Sequence, residues 1–508
     1  MTISTINDFD AAVEAAVREY AGEFFPEQNV FEEPSVPASP SVSYPVPAEE
    51  DDAQQIWREI SRTLYPNRET FSDSGFGISP LSGGDTLQNP VSGLLRPPVS
   101  GFPREFDVAA LRKDFPILSE TVNGKPLVWF DNGATTQKPR AVMERLVTFY
   151  EHENSNVHRG AHTLAARSTD AYENARETVR KFLGASSTNE IVFVRGTTEA
   201  VNLVAGTWGR DHLHAGDEIL VSRLEHHANI VPWQILAGET GAVLRAIPVD
   251  SNGELLWNDY TALLNNRTKL VAVTQVSNAI GTVTPTAEIV RLAHQYGAKV
   301  LIDGAQSVPH LPVDVQLLDA DFFVFSGHKI FAPTGIGVLY GKEELLNAMR
   351  PYQSGGNMIA DVTFEKTVYQ RSPNRFEAGT ANIAGAVGLG AALDYVNAVG
   401  MENIRRYEHG LLEYARESLA AISGIRVIGN PRERAGVVSF TADRFTTDEI
   451  NKALAAEGIA IRAGHHCAQP VLRHFGLEST VRASFAFYNT FEEVDFLTGV
   501  LKNITQTR

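Results

Sequence analysis

A single cysteine, Cys467, is all the thiol chemistry this chain of 508 residues offers. One cysteine cannot close an internal disulfide, which fits a reducing cytoplasm. Long hydrophobic runs are also missing. No apolar stretch approaches the roughly 20 residues a membrane-spanning helix needs. The first residues lack a basic region followed by an apolar core, so no secretory signal is read there. Their acidity argues against an organelle transit peptide. Positive charge is scarce as well: 44 Lys and Arg against 61 Asp and Glu give a formal charge of -17. That balance is a poor match for nucleic acid or an anionic membrane. No metal site is expected.

The charge deficit is concentrated at one end. Residues 1–103 hold 16 acidic and 5 basic residues, a net of -11, which leaves -6 for the other 405. Twelve of the 25 prolines fall there. Amphipathic stretches at 7–25 and 54–64 read as short helices, and the remainder has no periodicity. Such a composition buries too little apolar surface to fold, so 1–103 is expected to be a disordered Pro/Gly/Ser-rich acidic extension. Three near-copies of a tetrapeptide recur in it: Pro80-Leu81-Ser82-Gly83, Pro90-Val91-Ser92-Gly93 and Pro98-Val99-Ser100-Gly101. Repeated motifs on a flexible tether bind repetitive surfaces by avidity, although Pro, Ser and Gly also recur by chance in linkers.

The rest of the chain alternates strand and helix signals. Val108–Arg112 reads as a short helix and Pro126–Asp131 as a first strand. Further strands are read at Ile191–Val194, Glu218–Val221, Leu244–Val249, Leu270–Val276, Val300–Asp303 and Phe322–Phe325, separated by amphipathic stretches such as Thr286–Tyr296. This means βαβ units: an α/β fold whose large domain is built on a mainly parallel sheet. After about residue 395 the pattern turns to helix and hairpin. The expected divisions are an N-terminal arm of the small domain at 104–125, a large domain at 126–394 and a small α+β domain at 395–508.

Chemistry-bearing residues fall at the ends of these strands, where sheets of this kind place their sites. Ser326-Gly327-His328-Lys329 ends a buried strand. Burial eases deprotonation of a lysine, and a neutral amine condenses with an aldehyde. A lysine that snorkels out at a strand end would look the same. Asp303 ends the strand 26 residues upstream. A carboxylate there, paired with that lysine, is what pyridoxal phosphate needs against its ring nitrogen. Thr197 and Thr198 follow a glycine turn at a helix start, a phosphate site or simply a capped helix. His226 follows the next strand, where an imidazole can lie on a cofactor ring. Asn278 ends another strand near the substrate. Arg482 is a candidate clamp for a substrate carboxylate, or else a surface ion pair. Cys467 lies in Arg462-Ala463-Gly464-His465-His466-Cys467-Ala468, a loop whose imidazoles and arginine are the surroundings of a reactive thiol.

Together these segments resemble the cysteine desulfurases, specifically the group II, SufS-like branch of the class V, fold-type I pyridoxal-phosphate enzymes, over about residues 106 to 508. The lysine and cysteine motifs carry the resemblance, with Val157-His158-Arg159-Gly160-Ala161-His162 and the block from Glu225 to Trp233. The resemblance implies conversion of L-cysteine to L-alanine, with sulfur left on Cys467 as a persulfide for an acceptor protein or reductant. It implies that Lys329 bonds the cofactor and moves the Cα proton, that His226 stacks on the ring, and that Asp303 and Gln306 meet the pyridine nitrogen and phenolic oxygen. Thr197, Thr198, Ser326 and His328 would hold the phosphate. Thr380 would reach the phosphate of the other subunit of a homodimer. Arg482, Asn278, Arg462, His158 and Arg159 would serve the substrate. Ala381 and Asn132-Gly133 depart from the family's usual proline and Ser-Ala. Selenocysteine lyase or cysteine sulfinate desulfinase activity is the alternative within the family, and a shell-docking scaffold protein the alternative outside it. The extension resembles, in composition, the N-terminal regions of desulfurases that are cargo of family 2A encapsulin shells.

Overall fold

The computed structural model describes residues 106–158 and 162–506; the expectations for residues 1–103 and for Arg159 lie outside them. Apolar runs bounded by turn residues become strands buried on both faces, except at the edge strand Val243–Ile247, which is largely exposed. They are β1 (Ile191–Val194), β2 (Glu218–Ser222), β3 (Val243–Ile247), β4 (Thr268–Thr274), β5 (Lys299–Asp303), β6 (Phe322–Ser326) and β7 (Gly337–Gly341). They form one seven-stranded sheet in the order β1-β7-β6-β5-β4-β2-β3. Neighbours are parallel except at β7, which runs antiparallel to both β1 and β6. β7 starts on a glycine for a steric reason. A Cβ on Gly337 would lie 2.5 Å from the Cα of Gly196, in the turn that follows β1.

Helices cover the sheet. α1 (Thr163–Leu183) presents Tyr172, Ala175, Val179 and Leu183 to the core. α2 (Ile383–Val399) is apolar on nearly every side and accordingly buried, packed on α1. α3 (Met401–Ala420) follows it. No single helix among the described residues is long and apolar enough to cross a membrane.

Beyond α3 lies a smaller antiparallel sheet of β8 (Ile425–Ile428), β9 (Val437–Ala442), β10 (Arg462–Gly464) and β11 (Thr480–Ser484), in the order β8-β9-β11-β10. The expected α/β architecture, with a large mainly parallel sheet and a smaller α+β region, is the one observed. The strand expected over Pro126–Asp131 is shorter than its sequence signal. Val128–Trp129 runs parallel to Ile459–Ala460, and beyond it only an isolated bridge joins Asp131 to Ser484. Phe130 then packs in the same apolar cluster as Val438, Phe440 and Val481 of the small sheet.

A buried ion pair ties α1 to the edge of the large sheet. The Arg176 guanidinium, fully buried, donates to Glu377 Oε1 at 2.7 Å, to Glu377 Oε2 at 2.9 Å and to the Ile191 carbonyl at 2.8 Å. Glu377 also accepts from the Phe193 N–H and the Tyr172 hydroxyl, both at 2.8 Å. Removing Glu377 leaves the buried Arg176 with only the partly exposed Glu173, at 3.0 Å from its Nε, as a counter-charge. Glu377→Leu is therefore expected to cost about 3–5 kcal/mol, read as a lowered denaturant midpoint; an unchanged midpoint would contradict this account.

Candidate active site

The carboxyl ends of four strands stop level with one another. Gly337 pairs with both Val194 and Ser326, and Asp303 pairs with Thr274 and Val324. A cavity of about 250 Å³ opens there. Thr197, Thr198, His226, Asn278, Asp303, Gln306, Ser326, His328, Lys329, Arg462, Cys467 and Arg482 all line it. Two expected residues do not. Thr380, expected to serve the other subunit of a homodimer, is exposed and outside this chain's own cavity. His158 directs its Nε2 to Glu173 Oε1 at 2.8 Å, and that hydrogen bond raises its pKa.

Lys329 ends a single helical turn after β6. Burial holds its ammonium down at about 8, against the opposing pull of Asp303. Asp303, 3% exposed, is pushed up by the same loss of solvent, and its Oδ1 accepts the Ala305 N–H at 2.9 Å. A second buried amine stands behind. Lys138 donates to the Thr136 carbonyl and, at 3.1 Å, to the carbonyl of His328, so it anchors the peptide that carries Lys329. Burial brings Lys138 down to about 8 as well.

On the far side, Ser326 joins β6 to the turn after β1. Its Oγ accepts the Thr197 N–H at 2.9 Å and donates to Thr197 Oγ1 at 3.0 Å. This leaves hydroxyls and the start of the helix Thr197–Val204 facing the cavity, a cradle for an anion. Burial, then Lys329 and Lys138, holds His328 down at about 4. Burial and Lys329 likewise hold His226 at about 3. Its Nδ1 accepts the Ala228 N–H at 3.0 Å, which assigns the proton of the neutral ring to Nε2.

Arg462 of β10 sits directly opposite Arg482 of β11. Like charges so placed repel. Asp131 lies between them, its carboxylate bonded to Arg462 Nη2 at 3.0 Å and Arg482 Nη2 at 3.4 Å. Arg482 is 2% exposed, gives its Nη1 to the Asn278 carbonyl at 2.7 Å and keeps an unpartnered Nε. Gly133 makes room for it, since a Cβ there would come 3.0 Å from Arg482 Nη2.

Cys467 and His466 both adopt left-handed backbone, with φ of 54° and 51°. For residues other than glycine this costs on the order of 1–3 kcal/mol each and persists only where surroundings impose it. Here the Cys467 N–H donates to His465 Nδ1 at 3.1 Å, and its carbonyl accepts the His227 N–H at 2.7 Å. The Asn278 amide donates to the His466 carbonyl at 2.6 Å, and the His466 ring meets Thr480 Oγ1 at 2.8 Å. Asn278 thus braces the loop as well as facing the cavity.

Several contributors escaped the sequence reading: Asp131, Lys138, the brace at His466, and Glu225. The Glu225 carboxyl is buried behind the site, where it accepts from Ser222, Asn229 and the Thr274 N–H. Burial pushes it up to about 8. Asp131 did carry a signal, since it ends an apolar run just as Asp303 does.

The class-V aminotransferase family matches residues 128–497, and the chain belongs to it. More particularly, it is 65% identical over 399 residues to a cysteine desulfurase of Synechococcus elongatus, a match that takes in 78% of this chain and 64% of that protein. A probable cysteine desulfurase of Mycobacterium leprae is 63% identical over 401 residues, 79% of this chain and 66% of the relative. The chain thus spans less than two-thirds of the length of these two relatives. A cysteine desulfurase of Escherichia coli is 50% identical over 400 residues, 78% of this chain and 98% of the relative. Among solved structures, the cysteine desulfurase of Thermococcus onnurineus is 39% identical and superposes with a TM-score of 0.75 over 81% of this chain and 100% of that one. The fold is therefore fold-type I.

The donor set fits pyridoxal phosphate. A desolvated amine, a buried carboxylate on the neighbouring strand and an anion cradle share one cavity. With the Lys329 pKa near 8 rather than 10.5, its amine is half neutral at about pH 8 and its neutral fraction grows further above that. In the cofactor-free chain, acylation of Lys329 followed by mass spectrometry should reach half its plateau near pH 8, while exposed lysines reach half of theirs only at about 10. A Lys329 profile matching the exposed lysines would overturn this.

Proposed function

We propose that the chain is a cysteine desulfurase that converts L-cysteine to L-alanine and leaves the sulfur on Cys467 as a persulfide. One observation carries the reading: the lone thiol lines the same cavity as Lys329, Asp303 and Arg482. Asp303, Gln306, Thr197, Thr198, Ser326, His328 and Lys329 would hold pyridoxal phosphate, with Thr380 of a second subunit completing the phosphate site in a homodimer. Bound there, the cofactor supplies an electron sink that loosens the Cα proton of an amino acid.

The chain's own groups do the rest. Arg482, with Nε unspent, clamps the substrate carboxylate, and Asn278 and Arg462 border the same space. Lys329, poised near 8, takes the Cα proton and returns it. His226, neutral with its proton on Nε2, is a donor toward the reacting centre. The Cys467 sulfur attacks the substrate sulfur; the substrate's Cβ–S bond breaks, an S–S bond forms, and Cβ gains a proton to become the methyl of alanine. An acceptor protein or reductant then removes the outer sulfur. The half-buried setting of Cys467 on a surface loop leaves it open to that second reaction. A single thiol fits work in the reducing cytoplasm.

In Cys467→Ser the cofactor spectrum should still respond to L-cysteine while alanine and sulfide formation fall at least ~100-fold, the scale of a lost nucleophile. Full turnover would refute the persulfide mechanism. Comparing kcat/KM for cysteine, selenocysteine and cysteine sulfinate decides among the related activities, and turnover with any of them excludes a scaffold that only docks.

The acidic extension, with its three Pro-Leu/Val-Ser-Gly copies, is proposed as an address for a repetitive surface, the inner wall of an encapsulin shell. Each copy binds weakly, and neighbouring copies raise the effective concentration. Residues 1–103 fused to a fluorescent protein should co-purify with assembled shells. If only the intact enzyme does so, the address lies in the folded region.

A further inference from the structure

A second cavity, of about 200 Å³, lies away from the site just described, against α3 and the start of β9. His310, Arg405, Glu408, Arg432, Arg434 and Gly436 border it. Arg434 is 6% exposed and gives its Nη2 to the Gly429 carbonyl at 2.8 Å, while its Nε and Nη1 are buried with no partner among the described residues. Buried charged donors left unpaired are costly, so Arg434, which lines the cavity and carries two of them, is incompletely satisfied.

Most of the other charges around it are committed, although Glu408 Oε1 is itself buried with no partner among the described residues. Glu408 holds His310 Nδ1 at 2.7 Å, Arg405 pairs with Glu402 at 2.8 Å, and Arg432 lies 3.6 Å from Glu254. Glu433 and His409 stand on the rim, and Glu413 and Arg416 act on Arg434 in opposite senses. Three arginines therefore border the space against two carboxylates, Glu408 and Glu433, one of which is bonded to a histidine. Burial keeps Arg434 below its ordinary pKa, at about 10, which still leaves it charged at neutral pH. The unmet requirement is for a compact group that accepts from Arg434 and can also donate to Glu408 Oε1, as a hydrogen-bearing oxyanion does, and the volume suits a few atoms.

We propose that this cavity is a binding site for a small oxyanion of the sulfate or phosphate type, held by the unpartnered nitrogens of Arg434. The site is separate from the phosphate cradle at Thr197 and from the Arg482 clamp, and none of its lining residues borders the cavity of Lys329.

Calorimetric titration of inorganic sulfate, and separately of inorganic phosphate, into the full-length holoenzyme at constant ionic strength tests this. The expected result is a saturable isotherm for at least one anion that persists in Arg482→Lys. It should be lost in Arg434→Gln and weakened roughly tenfold or more in Arg434→Lys, the scale of one charged hydrogen bond. Without anion, Arg434→Gln should unfold at or above the wild-type temperature, because it removes an unsatisfied buried charge. A structural role would instead lower the unfolding temperature regardless of anion. Binding that survives Arg434→Gln but vanishes in Arg482→Lys places the anion in the active site and overturns the proposal. So does the absence of any saturable heat, which would leave water as the partner of Arg434.

Discussion

Arg462 and Arg482 can face each other across β10 and β11 because Asp131 stands between them. Two guanidinium groups opposite one another in an antiparallel pair repel, and one of them here is buried. The shared carboxylate turns that repulsion into a clamp with a defined direction, with Arg482 Nη2 held by Asp131 and Nη1 by the Asn278 carbonyl. Asn278 in turn holds the carbonyl of His466 and with it the strained turn of Cys467. The proposed carboxylate clamp and the proposed nucleophile thus rest on one chain of polar contacts, anchored on Asp131.

The second organising effect is loss of water. At the end of the large sheet, burial moves Lys329, His226 and His328 toward their neutral forms, and it also drives Glu225 upward. A site assembled this way holds bases and hydrogen-bond donors at neutral pH where exposed side chains of the same types would be partly or wholly charged. The cost is carried by backbone hydrogen bonds, such as Ala305 to Asp303 and Thr274 to Glu225.

What the sequence made legible follows from local rules. Strands of the large sheet read as apolar runs, so all six read there match to within two residues at each end. Residues at their carboxyl ends, Thr197, Asn278, Asp303 and Lys329 among them, converge on one cavity because the strands end in register. What depended on pairing between remote segments was not legible. Nothing local says that Val128–Trp129 pairs with Ile459–Ala460, or that Asp131 serves two arginines more than 300 positions away. His158 shows the converse. Its motif marked it for the substrate, while the helix beside it supplies Glu173 as a closer partner.

The pairing of Val128–Trp129 with Ile459–Ala460 also has a temporal meaning. A ribosome extends a chain from one end at a rate of about 5–20 residues per second. Asp131 is therefore made long before Arg482, its partner 351 positions later. Until β11 has left the exit tunnel, the residues around Phe130 have no small sheet to pack on, and Asp131 has no second cation to neutralise. A nascent chain already carrying Lys329 and Asp303 still lacks the clamp and the thiol. The full set of cavity residues therefore exists only once β11 has been made.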